Sequence, residues 1–179
     1  EALMNSLVIA VISTVVATLL GTISALSMRD FARKWKGPLN GMLYMPVIIP
    51  DIIMGLSLLV LFSQLQIPLG KSTVMIAHIT FSMSYVYVVV NARLAGMGKQ
   101  LEEAAQDLGA TYWQTFRFVT LPQIKPGIIS GALIAFTLSL DDFMVSFFVA
   151  GPSSTTLPIY IYGQVKRGIS PEINALCTL

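Results

Sequence analysis

The stretch Leu3–Met28 carries no charged side chain, and three more long apolar stretches follow it at Pro38–Ser63, Ser72–Asn91 and Pro126–Gly151. Asp51 is the charge in the second stretch. The third has none beyond what His78 can carry, and the fourth holds Asp141 and Asp142. A bilayer core of about 30 Å takes roughly 20 apolar residues of helix, so each stretch is long enough to cross it. The runs are continuous and do not alternate with a period of two, which excludes a transmembrane β-barrel. Composition points the same way: of 179 residues 55% are apolar and 11% charged, and the mean hydropathy is +0.75. Soluble domains carry about 25% charged residues, and so few polar groups cannot cover a folded surface in water. The expected fold class is an all-α, polytopic transmembrane helix bundle forming a single domain over residues 1–179.

A net charge of +2 gives no reason to expect a nucleic-acid partner. One cysteine, Cys177, and one histidine, His78, exclude a disulfide framework and a Cys/His metal cluster. Basic residues set the orientation. Arg29, Arg33, Lys34 and Lys36 follow the first stretch, and Arg93, Lys99, Arg117 and Lys125 follow the third, whereas the other two connections hold Lys71, Lys166 and Arg167. The positive-inside rule therefore puts the first and third connections in the cytoplasm and Ser153–Ser170 outside. The chain opens on Glu1 with no initiator Met and no basic leader, and is read as a piece of a longer protein. Ser170-Pro171-Glu172 has the form of a helix start, so a further span is expected from about residue 171.

The connection Leu94–Lys125 is far longer than the usual 2–8 residues between bundle helices. Gln100–Leu108 is built of good helix formers and Gly109 supplies a stop. Thr111 and Gln114 have capping-box spacing, which predicts a second short helix from Thr111 to just before Pro122. Two short helices joined at a glycine form either a docking element or an amphipathic hairpin resting on lipid.

Glu103-Ala104-Ala105, three residues, Gly109, nine residues, then Val119-Thr120-Leu121-Pro122 resembles the EAA motif of binding-protein-dependent ABC importer permeases at every position, with Val119 where Ile is commonest. Asn5-Ser6-Leu7, Pro46-Val47-Ile48-Ile49-Pro50, and Leu140-Asp141-Asp142-Phe143 followed by Phe147-Phe148-Val149-Ala150-Gly151 extend the resemblance through nearly the whole chain. The last two segments look most like the polyamine importers of that family. The resemblance implies a type I, MetI-like permease of a bacterial inner membrane with a cytoplasmic two-helix coupling loop. It also implies a second permease subunit, two cytoplasmic ATPase subunits, a periplasmic substrate-binding protein and a spermidine or putrescine substrate. In it Glu103 pairs with a basic group of the ATPase, Ala104 and Ala105 allow close packing, Gly109 allows the turn, and Leu121 and Pro122 complete the motif. No G-x-x-x-x-G-K-[ST] loop is present, so the chain is expected to hold no cofactor and to be no enzyme, with ATP and Mg bound by the partner ATPase.

A carboxylate at the bilayer centre costs about 2.5–3.5 kcal/mol, so acids there should face a cavity or a partner. Counted from Pro38 and Pro126 along two helices of the same direction, Asp51 and Asp141 reach similar depth, about 20 Å from the cytoplasmic end. Acids at matched depth suit a cationic substrate. Asp51, Asp141 and Asp142, with Tyr85 and Phe143 for stacking on alkyl-ammonium groups, are the candidate pathway residues. Asp141 and Asp142 stand about 100° apart on a helix, so one of the two is expected to line the path. Tyr87, Phe147 and Phe148 are further aromatic candidates, Pro46 and Pro50 should kink the second span, and His78 is read as packed and hydrogen-bonded. Gly151–Gly163 is where a delivering protein could touch. A secondary transporter would also carry membrane acids but gives no reason for the long loop. The acids lack the Tyr-Asp and Gly-x-Gly-Asp contexts of intramembrane aspartyl proteases, and catalysis is rejected.

Overall fold

The first apolar stretch forms one unbroken helix, α1 (Ala2–Arg29), whose buried residues include Ile9, Ser13, Ala17, Gly21 and Ala25 at every fourth position. In this computed structural model, which describes residues 1–29 and 33–167, that stripe lies against α4 (Lys71–Ala95), and α7 (Leu121–Asp141) packs on both. At the crossing, a Cβ on Gly21 would stand 2.7 Å from the Met83 carbonyl oxygen and 2.8 Å from Val86 Cβ. One on Gly131 would stand 3.3 Å from Val86 Cα. Val86 is thus gripped between two glycines of neighbouring helices. Lipid tails are as apolar as leucine, so helices in a bilayer gain most from such close backbone approach and its dispersion contacts. Leu3, Val11, Leu19 and Ile23 remain exposed along the outer face of α1.

The second stretch bends at its prolines as expected, but so sharply that it is two helices, α2 (Arg33–Ile48) and α3 (Asp51–Gln64), bent by 106° at the break. Pro50 has no N–H to return to the Pro46 carbonyl, and it disfavours helical geometry at Ile49. Its own carbonyl then starts α3, accepting from the Ile53 and Met54 amides at 2.9 and 3.1 Å. Asp51 consequently opens a helix instead of lying midway along one, and the depth counted from Pro38 does not apply.

The fourth stretch is also corrected. Its helix α7 stops at Asp141, and a separate short helix, which follows α5 (Gln100–Asp107), α6 (Tyr112–Thr115) and α7 as α8 (Met144–Val149), begins after the break at Asp142 and Phe143. At its other end α7 does not start at Pro126, nor does the preceding helix stop before Pro122. Instead α6 passes through a π-helical turn, Phe116–Thr120, straight into α7. The Leu121 amide reaches back five residues to the Phe116 carbonyl. This widened turn lets Pro122, which has no amide hydrogen to contribute, enter without breaking the rod.

Ala2–Arg29, Lys71–Ala95 and Tyr112–Asp141 are each long and apolar enough to cross a membrane, and α2 with α3 forms a fourth, broken candidate. The last helix, α9 (Leu157–Arg167), follows a loop tied to the start of α1. There Asn5 Nδ2 donates to the Thr155 carbonyl at 3.1 Å, and the Leu157 amide donates to Ser6 Oγ at 2.8 Å. The segment Gly151–Gly163 is therefore anchored at one end of the bundle, while Arg29 and α5 meet at the other. The span expected from about residue 171, and Cys177, lie outside the described residues.

Candidate functional site

The two helix breaks face each other. Between them lies a cavity of about 260 Å³ whose lining includes Asp51, Tyr85, Asp141, Asp142 and Phe143, with Pro46 and Phe81. Four segments supply the five candidate pathway residues. Asp51 is the first residue of α3, Tyr85 comes from α4, Asp141 ends α7, and Asp142 and Phe143 form the break before α8. Both adjacent acids reach the cavity, contrary to the expectation from a continuous helix. Asp142 leaves helical geometry at ψ 115°, so the 100° separation no longer holds.

The three carboxylates differ in what binds them. Asp142 accepts from the Val145 amide at 3.2 Å and the Ser146 amide at 2.7 Å, capping α8, and His78 Nε2 stands 3.2 Å from its Oδ2. His78 is fully buried, with Nδ1 2.6 Å from Ser139 Oγ and Nε2 2.9 Å from Ser146 Oγ. Asp51 and Asp141 are exposed and have no hydrogen bond or ion pair among the described residues. Asp51 sits at the positive end of the α3 dipole, whereas Asp141 adds its charge to the negative end of α7. The cavity therefore concentrates negative charge and offers oxygen acceptors that no protein donor occupies.

Phe143 stacks on Tyr162 at 4.7 Å and on Phe147 at 5.4 Å between ring centroids. Tyr87 is fully buried instead, its hydroxyl bonded to Asn40 and its ring edge-on to Tyr44. Phe148 packs over Gly55. Neither of these two lines the cavity.

At the opposite end, α5 and α6 form a hairpin. Gly109 makes the turn with φ +88°, a left-handed conformation that side chains resist, and Thr111 and Gln114 form the expected capping box with bonds of 2.8 and 3.3 Å. Glu103, Ala104, Leu121 and Pro122 are exposed and Ala105 is half-buried. The apolar side of the hairpin is uncovered: Leu108 is 90% exposed, Tyr112 84% and Phe118 70%. Such a cluster of large apolar side chains marks an interaction surface.

One residue here escaped the sequence reading. Among the described residues Glu102, not Glu103, is paired: Arg29 at the end of α1 donates to its two oxygens at 2.7 and 2.5 Å, and Thr120 Oγ1 donates at 2.6 Å. The Arg29 hydrogen bonds, reinforced by Thr120, outweigh partial burial and hold Glu102 below the ordinary carboxylate range. Neighbouring acids on a helix were visible in the sequence, but the meeting of α1, α5 and the π turn is tertiary.

The chain is 47% identical over 183 residues to the putrescine transport system permease protein PotI of Escherichia coli K12, covering 97% of this chain and 64% of that protein. It is 44% identical over 179 residues to the spermidine/putrescine transport system permease protein PotC of the same organism, covering 100% and 68%. It thus spans a little under two thirds of the length of the first relative. A crystal structure of a bacterial ABC transporter involved in the import of the acidic polysaccharide alginate superposes with a TM-score of 0.74 at 19% identity, covering 96% of this chain and 69% of that one, which confirms the permease fold. The family described as "binding-protein-dependent transport system inner membrane component" matches residues 4–170, and the chain belongs to that family.

Proposed function

We propose that this chain is the membrane-spanning part of an ATP-driven importer of polyamines. The observation that carries the reading is the cavity at the paired helix breaks, where Asp51 and Asp141 offer unoccupied carboxylates beside Tyr85 and Phe143. A polyamine needs anionic acceptors to replace the water on each ammonium and apolar or aromatic surface for the methylenes between them. The likeness to permeases named for putrescine and spermidine supports the same substrate class.

In this reading the chain pairs with a second permease subunit and receives substrate from a periplasmic binding protein. Two cytoplasmic ATPase subunits hold ATP and Mg. The uncovered apolar side of α5 and α6 seats against an ATPase, with Glu103 meeting a basic group there. Movement of the hairpin then passes along the α6–α7 rod to Asp141.

The test is ATP-dependent uptake of radiolabelled spermidine and putrescine into proteoliposomes holding the full-length chain and its partners. Wild-type uptake should be abolished by Glu103→Lys with assembly intact, and reduced at least tenfold by Asp51→Asn or Asp141→Asn. ATP hydrolysis stimulated by the binding protein without polyamine uptake would replace the substrate with another cation or a small organic solute. Uptake indifferent to ATP and to Glu103 would refute the transporter class.

A further inference from the structure

His78 has no part in the motif or in the lining of the acidic cavity, yet it is fully buried and makes polar contacts with three consecutive pieces of the broken fourth stretch. Its Nδ1 meets Ser139 in the last turn of α7, and its Nε2 meets both Asp142 in the break and Ser146 in α8. The protons follow from the partners. An ionised carboxylate only accepts, so the hydrogen facing Asp142 belongs to Nε2. In the neutral ring Nδ1 is then the acceptor, and the Ser139 hydroxyl donates to it.

The α8 helix has six residues, too few to hold itself together. Its start depends on the Asp142 carboxylate, whose Oδ1 takes the Val145 amide and whose Oδ2 takes the Ser146 amide. His78 supplies Oδ2 with a further donor from a different helix, α4. Both oxygens of Asp142 are thereby committed to the protein, whereas those of Asp51 and Asp141 are not.

We propose that His78 is a positioning residue for the cavity. It clamps Asp142 onto the start of α8, fixes the break at Asp142 and Phe143, and so leaves Asp51 and Asp141 as the acids that meet the cation. This rests on the polyamine reading for the identity of the cation, but not for the clamp itself.

Two measurements on the full-length chain assembled with its partners test it. In amide hydrogen exchange, His78→Leu should speed exchange at Val145 and Ser146 at least tenfold while α1 and α4 stay protected. His78→Gln, which can still offer a donor toward Asp142, should restore most of that protection. In uptake of radiolabelled putrescine, His78→Leu should raise KM at least fivefold with a smaller change in kcat, and His78→Gln should lie between it and wild type. Should His78→Leu fail to assemble, Ser139→Ala removes only the Nδ1 partner and should speed α8 exchange about threefold. Unchanged α8 exchange in the assembled variants would overturn the proposal, as would a loss of kcat with KM unaltered. Faster α8 exchange in a complex whose wild type moves no polyamine would uphold the clamp and refute the substrate.

Discussion

Replacing Glu102 by glutamine keeps its shape and removes the charge that Arg29 and Thr120 converge on. The two side chains of the pair are 17% and 16% exposed. Exposed pairs are worth about 0–1 kcal/mol and breaking a buried one costs about 3–5 kcal/mol, so a pair this shielded should cost about 2 kcal/mol to break. At about 1.4 kcal/mol per decade that is roughly a 30-fold shift in the equilibrium holding α5 against α1 and the π turn. The assay is amide exchange of α5, whose Glu103 and Leu108 amides bond the Lys99 and Ala104 carbonyls at 2.9 and 3.2 Å. Exchange there should rise about 30-fold in Glu102→Gln, with α4 unaffected. A double-mutant cycle with Arg29→Gln should return less than the sum of the two single effects, because both remove one interaction. The pH dependence has a definite sign. Arg29 holds the folded value of Glu102 below its ordinary one. The pair therefore contributes fully above about pH 4.3, and its contribution is lost as pH falls through the lowered folded value. Protection of α5, corrected for intrinsic exchange, should be flat from about pH 5 to 8 and decline only below about 4. Additive single effects, or loss of protection already near neutral pH, would refute the clasp.

Gly109→Ala meets nothing within 4 Å, so its cost is the backbone penalty of φ +88° alone, about 1–2 kcal/mol, visible as faster proteolysis at the α5–α6 joint. Gly21→Leu forces a side chain where even a Cβ lies 2.7 Å from a carbonyl oxygen, and should cost about 1–3 kcal/mol or more in a thermal melt in detergent. Gly131→Ala, at 3.3 Å, should cost less in the same melt; an equal or larger loss would contradict the packing described. Leu108→Asp, at a side chain 90% exposed, should leave helicity and melting unchanged but reduce copurification with the proposed ATPase partner. Unchanged copurification would remove the apolar side of the hairpin from that interface.

Long uncharged runs made the membrane helices legible, and the α5 stop and the Thr111–Gln114 cap were readable because both are local. The breaks were less so. Pro46 and Pro50 announced a bend but not its size of 106°, which leaves α3 packed against α8, a tertiary contact. Nothing in the run Leu140-Asp141-Asp142-Phe143 says that the second acid will leave the helix to cap the next one. That outcome needs His78, 64 positions earlier in the chain, to hold its carboxylate. The candidate acids were picked out because charge in a membrane is costly. Their meeting in one cavity came from two breaks that helical depth arithmetic could not foresee. The π turn hid for a similar reason, since Pro122 reads as a terminator wherever the preceding turn is assumed to be α-helical.

The grip on Val86, with the close approach of Gly127 to Arg93 one turn away, gives the longest helix among the described residues a pivot. Tyr112–Asp141 runs for 30 residues as one rod, and Gly131 sits on Val86 closer to its far end. At about 1.5 Å of rise per residue the arm toward Tyr112 is roughly 28 Å and the arm toward Asp141 roughly 15 Å. Such a lever has a mechanical ratio near two to one: a sideways push of about 4 Å at the Tyr112 end would become an opposite swing of about 2 Å at the carboxylate. Displacement is reduced and force is multiplied, which in the proposed importer would suit the release of a bound cation by a carboxylate.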